Sequence, residues 1–321
     1  MPKASAFWFS NLPSDTQQDF VMPRPTSSHR TVHVPVMLHE VLDQLAIEPN
    51  LTILDGTLGA GGHSSHILKA MNTQGRLIGL DRDQSMIDRA SQIVNGPNVS
   101  LHQASYAQIV PILDSLEIPQ FDRVLLDLGL SSDQLADANR GFGFDTSGTL
   151  DMRFDETEGQ SAADFLQSAS EAEIEAVLSN YGEEKAAANI AHEIHKQRRS
   201  GNPIRTADQL VELVERVTGP TNKKKSPSVA RVFQALRIAV NRELDQLDNF
   251  LYEILPTRLS LGGRAVIITF HSLEDRMVKD AFRNTEVWNN LTRKPLAPTP
   301  SEIRNNPRSR SAKLRVAERI K

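Results

Sequence analysis

Apolar positions recur along this chain with two different periods, and the switch between them divides it. From about Val36, helical spacing over Met37 to Ala46 gives way to the apolar run Thr52 to Leu54, and helical spacing returns over Ser64 to Met71. Strand Arg76 to Leu80, helix Gln84 to Val94, strand Val99 to His102, helix Ala107 to Leu116 and strand Arg123 to Leu128 continue the series. Strands separated by helices at this spacing predict a parallel sheet covered on both faces, the doubly wound α/β class.

After Leu128 the rhythm stops. "RGFGFDTSGTLDMRFDETEGQS" reads as a loop, and Ser161 to about Val217 reads as helices whose starts carry the capping boxes Ser170 with Glu173 and Thr206 with Gln209. One long helix is expected from Ser228 to about Leu255, and it leads into the buried strand "GGRAVIITF". "SAKLRVAERI" alternates as a last strand. The pattern therefore divides the chain into a tail over 1–31, an α/β domain built from 32–139 and 226–321, and an inserted helical domain over 140–225. No internal repeat appears.

Composition narrows the functional classes. With 321 residues and 39% hydrophobic content the chain can bury a sizeable core. A formal charge of −4 excludes a globally basic nucleic-acid binder, so any RNA contact has to come from local patches. Such patches are Lys196, Arg198 and Arg199; Lys223 to Lys225; and Arg304, Arg308, Arg310, Lys313 and Arg315, each of which also reads as an ordinary solvated face. There is no cysteine, which removes disulfides, thiolate metal sites and cysteine nucleophiles together and fits a reducing, cytoplasmic setting. The nine histidines show no metal-ligand spacing. No run approaches the ~18 apolar residues of a membrane span, and the first ~30 residues carry no secretory signal.

The chemistry gathers at predicted strand ends. "DGTLGAGGHSSHI" follows the first strand and holds four glycines within seven residues, a density that marks a turn or the close approach of another molecule. Gly59 and Gly61 stand where a dinucleotide fingerprint has its first two glycines, but Ser64 replaces the third. Asp55, at the strand end before the loop, would repel a pyrophosphate; it suits an amino-bearing cation such as S-adenosylmethionine. Asp81, ending the second strand, stands where an acid accepts from ribose hydroxyls, while Asp83 suits the cap of the next helix.

Asp127 ends the fourth strand inside "LLDLGLSSDQL" and should face whatever receives the transferred group. Ser131 is a further acceptor there, with Ser132 or Asp133 as helix caps. His271, in "FHSLEDR", is expected either to orient a substrate or act as a base, or to serve the structure; Ser272 with Asp275 suggests a capping box for the helix that follows. In "RVFQALRIAVNREL" an apolar stripe runs beside the polar line Arg231, Gln234, Arg237 and Asn241, and Ile238 and Glu243 break the pattern in opposite senses, as when both faces are covered.

These blocks, with "HVPVMLHEVL", "LDMR" and the closing "NPRSRSAKLRVAER", occur in the order of the bacterial 16S ribosomal RNA cytosine-N4 methyltransferase H family, which the chain resembles from about His33 to Arg319. The resemblance implies a Rossmann-like, S-adenosylmethionine-dependent enzyme that methylates the exocyclic N4 of a cytosine in the decoding region of the small-subunit RNA, with the helical insert helping to recognise substrate. Carried over by motif, the cofactor contacts are Gly61, Gly62, His63, Asp81, Asp127 and Gln134, and Tyr106 stands where the family usually has an adenine-stacking Phe. Two other functions stay open at this point: a methyltransferase acting on a protein or small amine, and a catalytically silent ribosome assembly factor.

Overall fold

The computed structural model describes residues 35–71, 73–144, 147–219 and 226–321; the expected tail and Lys223 to Lys225 lie outside them. Strands β1 (Thr52–Asp55), β2 (Arg76–Asp81), β3 (Val99–Gln103), β4 (Phe121–Asp127), β5 (Leu259–Thr269), β6 (Trp288–Asn290) and β7 (Lys313–Arg319) form one sheet in the order β3-β2-β1-β4-β5-β7-β6. β1 to β5 pair in parallel, while β7 runs antiparallel to both β5 and β6. The strand order reverses between β1 and β4, so the crevice beyond their carboxyl ends is the natural ligand site.

The strands read as apolar runs because both faces are covered. Leu54 of β1, Ile78 of β2, Val124 and Leu126 of β4 and Ile267 of β5 join one apolar cluster, whereas their neighbours Ile53, Leu77, Leu125 and Val266 join the cluster on the other face. That alternation is the period of two a pleated strand imposes. Helices α1 (Leu38–Leu45) and α2 (Gly62–Ala70) cover the second face, and α4 (Ile109–Ser115) helps cover the first; α3 (Gln84–Ala90) follows β2 and stops short of the predicted Val94.

Beyond α5 (Ser132–Ala136) come α6 (Ala162–Ser168), α7 (Glu171–Gly182), α8 (Ala187–Arg199) and α9 (Ala207–Thr218). They share a third apolar cluster with α10 (Pro227–Asn241), which contributes Val229, Val232, Phe233 and Leu236. Its polar line is covered as well: Arg231 pairs with buried Glu184 at 2.7 Å, and Gln234 donates to the Tyr181 carbonyl.

The long helix expected from Ser228 to Leu255 is instead broken. Arg242 takes a left-handed conformation (φ 51°) and ends α10; then follow α11 (Glu243–Asn249), a π-helical turn Phe250–Ile254 and α12 (Leu255–Arg258). Sequence periodicity does not report the break, which falls next to Asn241, a residue whose side chain is tied to the distant 152–154 loop. Its amide, 1% exposed, donates to the carbonyls of Met152 (2.7 Å) and Arg237 (2.9 Å) and accepts from the Phe154 N–H (2.8 Å). Its own carbonyl accepts from Arg82 and Gln246. The chain closes with α13 (Ser272–Ala281) and α14 (Pro300–Asn305) around β6 and β7.

Asn241→Ala should lower unfolding free energy by about 2–4 kcal/mol, since it leaves buried backbone groups of the 152–154 loop without partners. Urea denaturation followed by circular dichroism measures this, and a loss below half a kcal/mol would show that the loop is anchored elsewhere.

Candidate active site

The turn after β1 is held from behind by its own acid. Asp55, 1% exposed, accepts from the Ser64 hydroxyl at 2.6 Å and from the Thr57 N–H at 3.2 Å, so Ser64, the residue in the third-glycine position, ties the loop to the strand end. Burial pushes Asp55 up to about 6, against the lowering effect of those two bonds. Its carboxylate does not line the cleft. Gly61 also stands behind the loop: its φ is +84°, and a Cβ there would meet Val94 at 2.8 Å and Ala90 at 3.3 Å. Gly59, Gly62 and His63 do line the cleft.

Asp81 lines it from the end of β2, and its oxygens organise the adjoining loops. Oδ2 accepts from the Gly59 N–H at 2.8 Å and Oδ1 from the Asp83 N–H at 2.9 Å. Burial pushes it up to about 6, with smaller contributions from Asp83 and Asp55. Tyr106 lines the same cleft in an edge-on contact with Phe250 at 5.3 Å, and burial raises its phenol well above the ordinary value.

Asp127 sits between these walls at the end of β4. Its N–H donates to the Thr57 hydroxyl at 2.6 Å, and its side chain, 20% exposed, has one oxygen, Oδ1, with no hydrogen-bond partner. Its other oxygen lies 3.7 Å from His63 Nδ1. Because His63 Nε2 meets the Val36 carbonyl at 3.0 Å, and a carbonyl only accepts, the Nε2 proton points there and Nδ1 of the neutral ring faces Asp127 as an acceptor. Burial, then the charges of Asp55 and Glu274, push Asp127 up to about 8. A buried carboxylate oxygen without a partner, among three raised acids, suits a site that takes a positive charge and leaves Oδ1 open to an N–H donor. S-adenosylmethionine carries such a charge, and Gly59, Gly62, His63, Asp81, Tyr106 and Asp127, which line the cleft together, are residues that could hold it.

Ser131 and Gln134 line the cleft but are committed to the structure. The Ser131 hydroxyl caps α5 by accepting from the Gln134 N–H (3.1 Å), and Gln134 Oε1 accepts from the Ser131 N–H (3.0 Å). Gln134 Nε2 donates to Asp83 Oδ2, which also receives Arg140 Nη1 at 2.7 Å. The helix cap expected at Ser132 or Asp133 is therefore Ser131. His271 lies outside the cleft. The capping box of α13 falls one residue earlier than Ser272 and Asp275: His271 Nδ1 accepts from the Glu274 N–H, and Glu274 Oε2 accepts from the Phe270 and His271 N–H groups. Its Nε2 is 3.0 Å from Glu274 Oε1, so His271 positions a buried acid. Burial raises Glu274, but His271 and Arg237 outweigh it and hold this carboxyl below its ordinary value.

Several lining residues escaped the sequence reading. Thr57, Phe154, Glu243, Gln246, Glu274, Asn306 and Arg308 come from loops and helices far apart in the chain. Glu243 left a trace, as the charge that broke the apolar stripe. Beside the cleft, and sharing Gly129, Leu130, Phe270 and Arg308 with it, opens a second chamber of about 290 Å³, lined by Phe142, Phe144, Phe233 and Arg237 and reached by His271. The basic clusters divide. Arg198 donates to three carbonyls at the C-terminal end of α6, those of Leu166, Gln167 and Ala169, and Lys313 and Arg315 pair with Asp275, whereas Arg199, Arg304, Arg308 and Arg310 are exposed.

A family model described as the MraW methylase family matches residues 30–320. The ribosomal RNA small subunit methyltransferase H of Rhodopirellula baltica is 42% identical over 305 residues, covering 92% of this chain and 94% of that one. Its counterpart in Deinococcus deserti is 41% identical over 309 residues, covering 96% and 97%. Among solved structures, an rRNA methylase from Streptococcus thermophilus aligns with 88% of this chain and 96% of its own at 12% identity and a TM-score of 0.38.

The raised acids give a pH signature. Near neutral pH the folded protein holds a proton on Asp127 that a cationic ligand displaces, so S-adenosylmethionine should bind more tightly as pH rises through about 8, with proton release that Asp127→Asn abolishes. Calorimetry in buffers of different ionisation enthalpy reads this, and pH-independent affinity without proton release would overturn it. By linkage, these groups keep protons in the folded state that the unfolded chain releases, so their contribution to the stability of the ligand-free protein falls as pH rises from the ordinary carboxylate range to about 8.

Proposed function

The chain belongs to the MraW methylase family and is a methyltransferase that uses S-adenosylmethionine; from that premise we propose that it methylates the exocyclic N4 of a cytosine in the decoding region of 16S ribosomal RNA, in the cytoplasm, on the small ribosomal subunit. The names of relatives such as those of Rhodopirellula baltica and Deinococcus deserti support the RNA class. The observation that carries the nitrogen is Asp127, an acid at the switch-point crevice whose buried Oδ1 has no partner.

A cytosine amino group is a poor nucleophile because its lone pair is delocalised into the ring. The bound cofactor supplies an electrophilic methyl group on a sulfonium. What the protein supplies is position and a proton acceptor. With its own proton displaced by the bound cation, Asp127 Oδ1 accepts one amino N–H, draws the nitrogen out of conjugation and takes the proton as the methyl group is transferred. Ser131, being the α5 cap, serves this reaction by fixing the "LGLSS" turn, and His271 serves it by fixing Glu274.

The absence of cysteine supports the same route. Methylation at carbon 5 of a pyrimidine generally needs a nucleophile, usually a thiolate, at carbon 6, and this sequence has none. The proposal further assigns the helices over 140–225 to substrate recognition, together with the exposed arginines of the C-terminal stretch.

Digestion of RNA from methylated small subunits should yield N4-methylcytidine, and RNA carrying 5-fluorocytidine should not be trapped covalently. 5-Methylcytidine or a stable adduct would overturn the mechanism; 2′-O-methylcytidine would discard the role given to Asp127. Reversing charge at Arg199 and Arg304 together should weaken RNA binding and reduce the slope of log affinity against log salt by about 0.9 per lost phosphate contact. An unchanged slope would remove these arginines from the RNA path.

A further inference from the structure

The chamber beside the cleft has a wall the proposed reaction has not yet used. Arg237 and Glu243 form its partition: Arg237 lines the chamber and Glu243 lines the cleft. The guanidinium is 13% exposed and the carboxylate 10%, and they meet as a fork, Nε to Oε1 at 2.7 Å and Nη2 to Oε2 at 2.9 Å. In a continuous helix two residues six apart would point about 120° away from each other. The left-handed Arg242 between α10 and α11 brings them together, and Asn241 locks the turn by donating to the Arg237 carbonyl.

The fork occupies Nε and one face of Nη2. Among the described residues nothing accepts from Nη1 or from the second hydrogen of Nη2, so one hydrogen of each remains as a parallel pair of donors. Around it the walls are aromatic. Phe144 and Phe233 meet edge-on at 5.1 Å, and Phe142 stacks on Phe154 at 5.6 Å, so these rings hold one another in place. Flat apolar walls with one fixed pair of donors describe a site for a planar heterocycle that carries adjacent acceptors.

We propose that this chamber receives the target base, and that Arg237, held by Glu243, reads the 2-oxo oxygen and N3 of cytosine. The assignment rests on the function proposed above. Cytosine presents two acceptors on that edge. Uracil presents one acceptor and an N3–H that opposes the guanidinium, and adenine has no oxygen there. With that edge on Arg237, the amino edge turns toward the rim formed by Gly129, Leu130 and Phe270, which begins two residues past Asp127 and is shared by cleft and chamber. Glu243 is a positioning residue: it sets the plane of the fork and leaves the Nη1–Nη2 edge as the part of the cation that can meet the base.

The test titrates the protein, loaded with S-adenosylhomocysteine, with cytidine, 2-thiocytidine and uridine 5′-monophosphates, and reads binding by saturation-transfer NMR on the pyrimidine protons. Cytidine monophosphate should bind about tenfold more tightly than uridine monophosphate and about fivefold more tightly than the 2-thio analogue, whose sulfur is a poor acceptor. Arg237→Gln should bring all three within about twofold of one another while S-adenosylhomocysteine affinity is retained. Because that substitution strands Glu243, the double variant Arg237→Gln with Glu243→Gln is measured in parallel and should show the same levelling. Discrimination that survives in both variants, or no binding of any nucleotide to the unaltered protein, would overturn the assignment. If N4-methylcytidine is formed and the variants still discriminate, this assignment fails alone. If the variants level the series and the RNA product is a different nucleoside, the assigned reaction fails and the chamber stands.

Discussion

One buried carboxylate, Asp83, joins the parts of this molecule that have to agree for the cleft to exist. It is 3% exposed, caps α3 through the Ser85 N–H, accepts from Gln134 of α5 and pairs with Arg140 at 2.7 Å. Burial alone would raise it, yet the bonds from Ser85 and Gln134 and the Arg140 guanidinium outweigh that effect and hold it below its ordinary value. Arg140 in turn donates to the carbonyls of Arg153 and Phe154, and so carries the constraint from the sheet into the loop that walls the cleft. Removing one member of such a buried pair typically costs about 3–5 kcal/mol, because the other is left charged and unpaired.

The cleft itself is arranged in the opposite sense. Asp55, Asp81 and Asp127 are all raised, burial being the first cause for each, and the charge of Asp55 adds to it for Asp81 and Asp127. Asp83 is satisfied within the protein, whereas Asp127 keeps an oxygen unpaired. The site therefore concentrates its unmet electrostatic demand at the switch point, in the one carboxylate oxygen there that the described residues leave unpaired. Asp55 and Asp81 do double service, since each also fixes the glycine turn through hydrogen bonds to Ser64, Thr57 and Gly59.

The break at Arg242 matters for the same reason. An unbroken helix would separate Arg237 from Glu243; the turn makes them one ion pair standing between two cavities. The arrangement depends on Asn241, whose side chain reaches the backbone of the 152–154 loop, so the geometry of α10 and α11 and that of the loop are set together.

The sequence by itself determined the elements whose cause is local. Strands β1 to β5 follow from apolar runs bounded by turns, Asp83 and Ser170 from the need of helix N-termini for acceptors, and Asp55, Asp81 and Asp127 from their places at strand ends, where a parallel sheet binds ligands. Tertiary structure alone decided whatever depends on a partner far along the chain. It set Gly61 behind the loop against Val94 and Ala90, ran β7 antiparallel and added Glu243, Glu274 and Arg308 to the walls, whereas the caps at Ser131 and His271 are closed by residues three positions on and are local. Hydrophobic period reports only which face of an element is covered; it carries no information on which distant carbonyl the Asn241 amide will find, and that contact joins the end of α10 to the loop that walls the cleft.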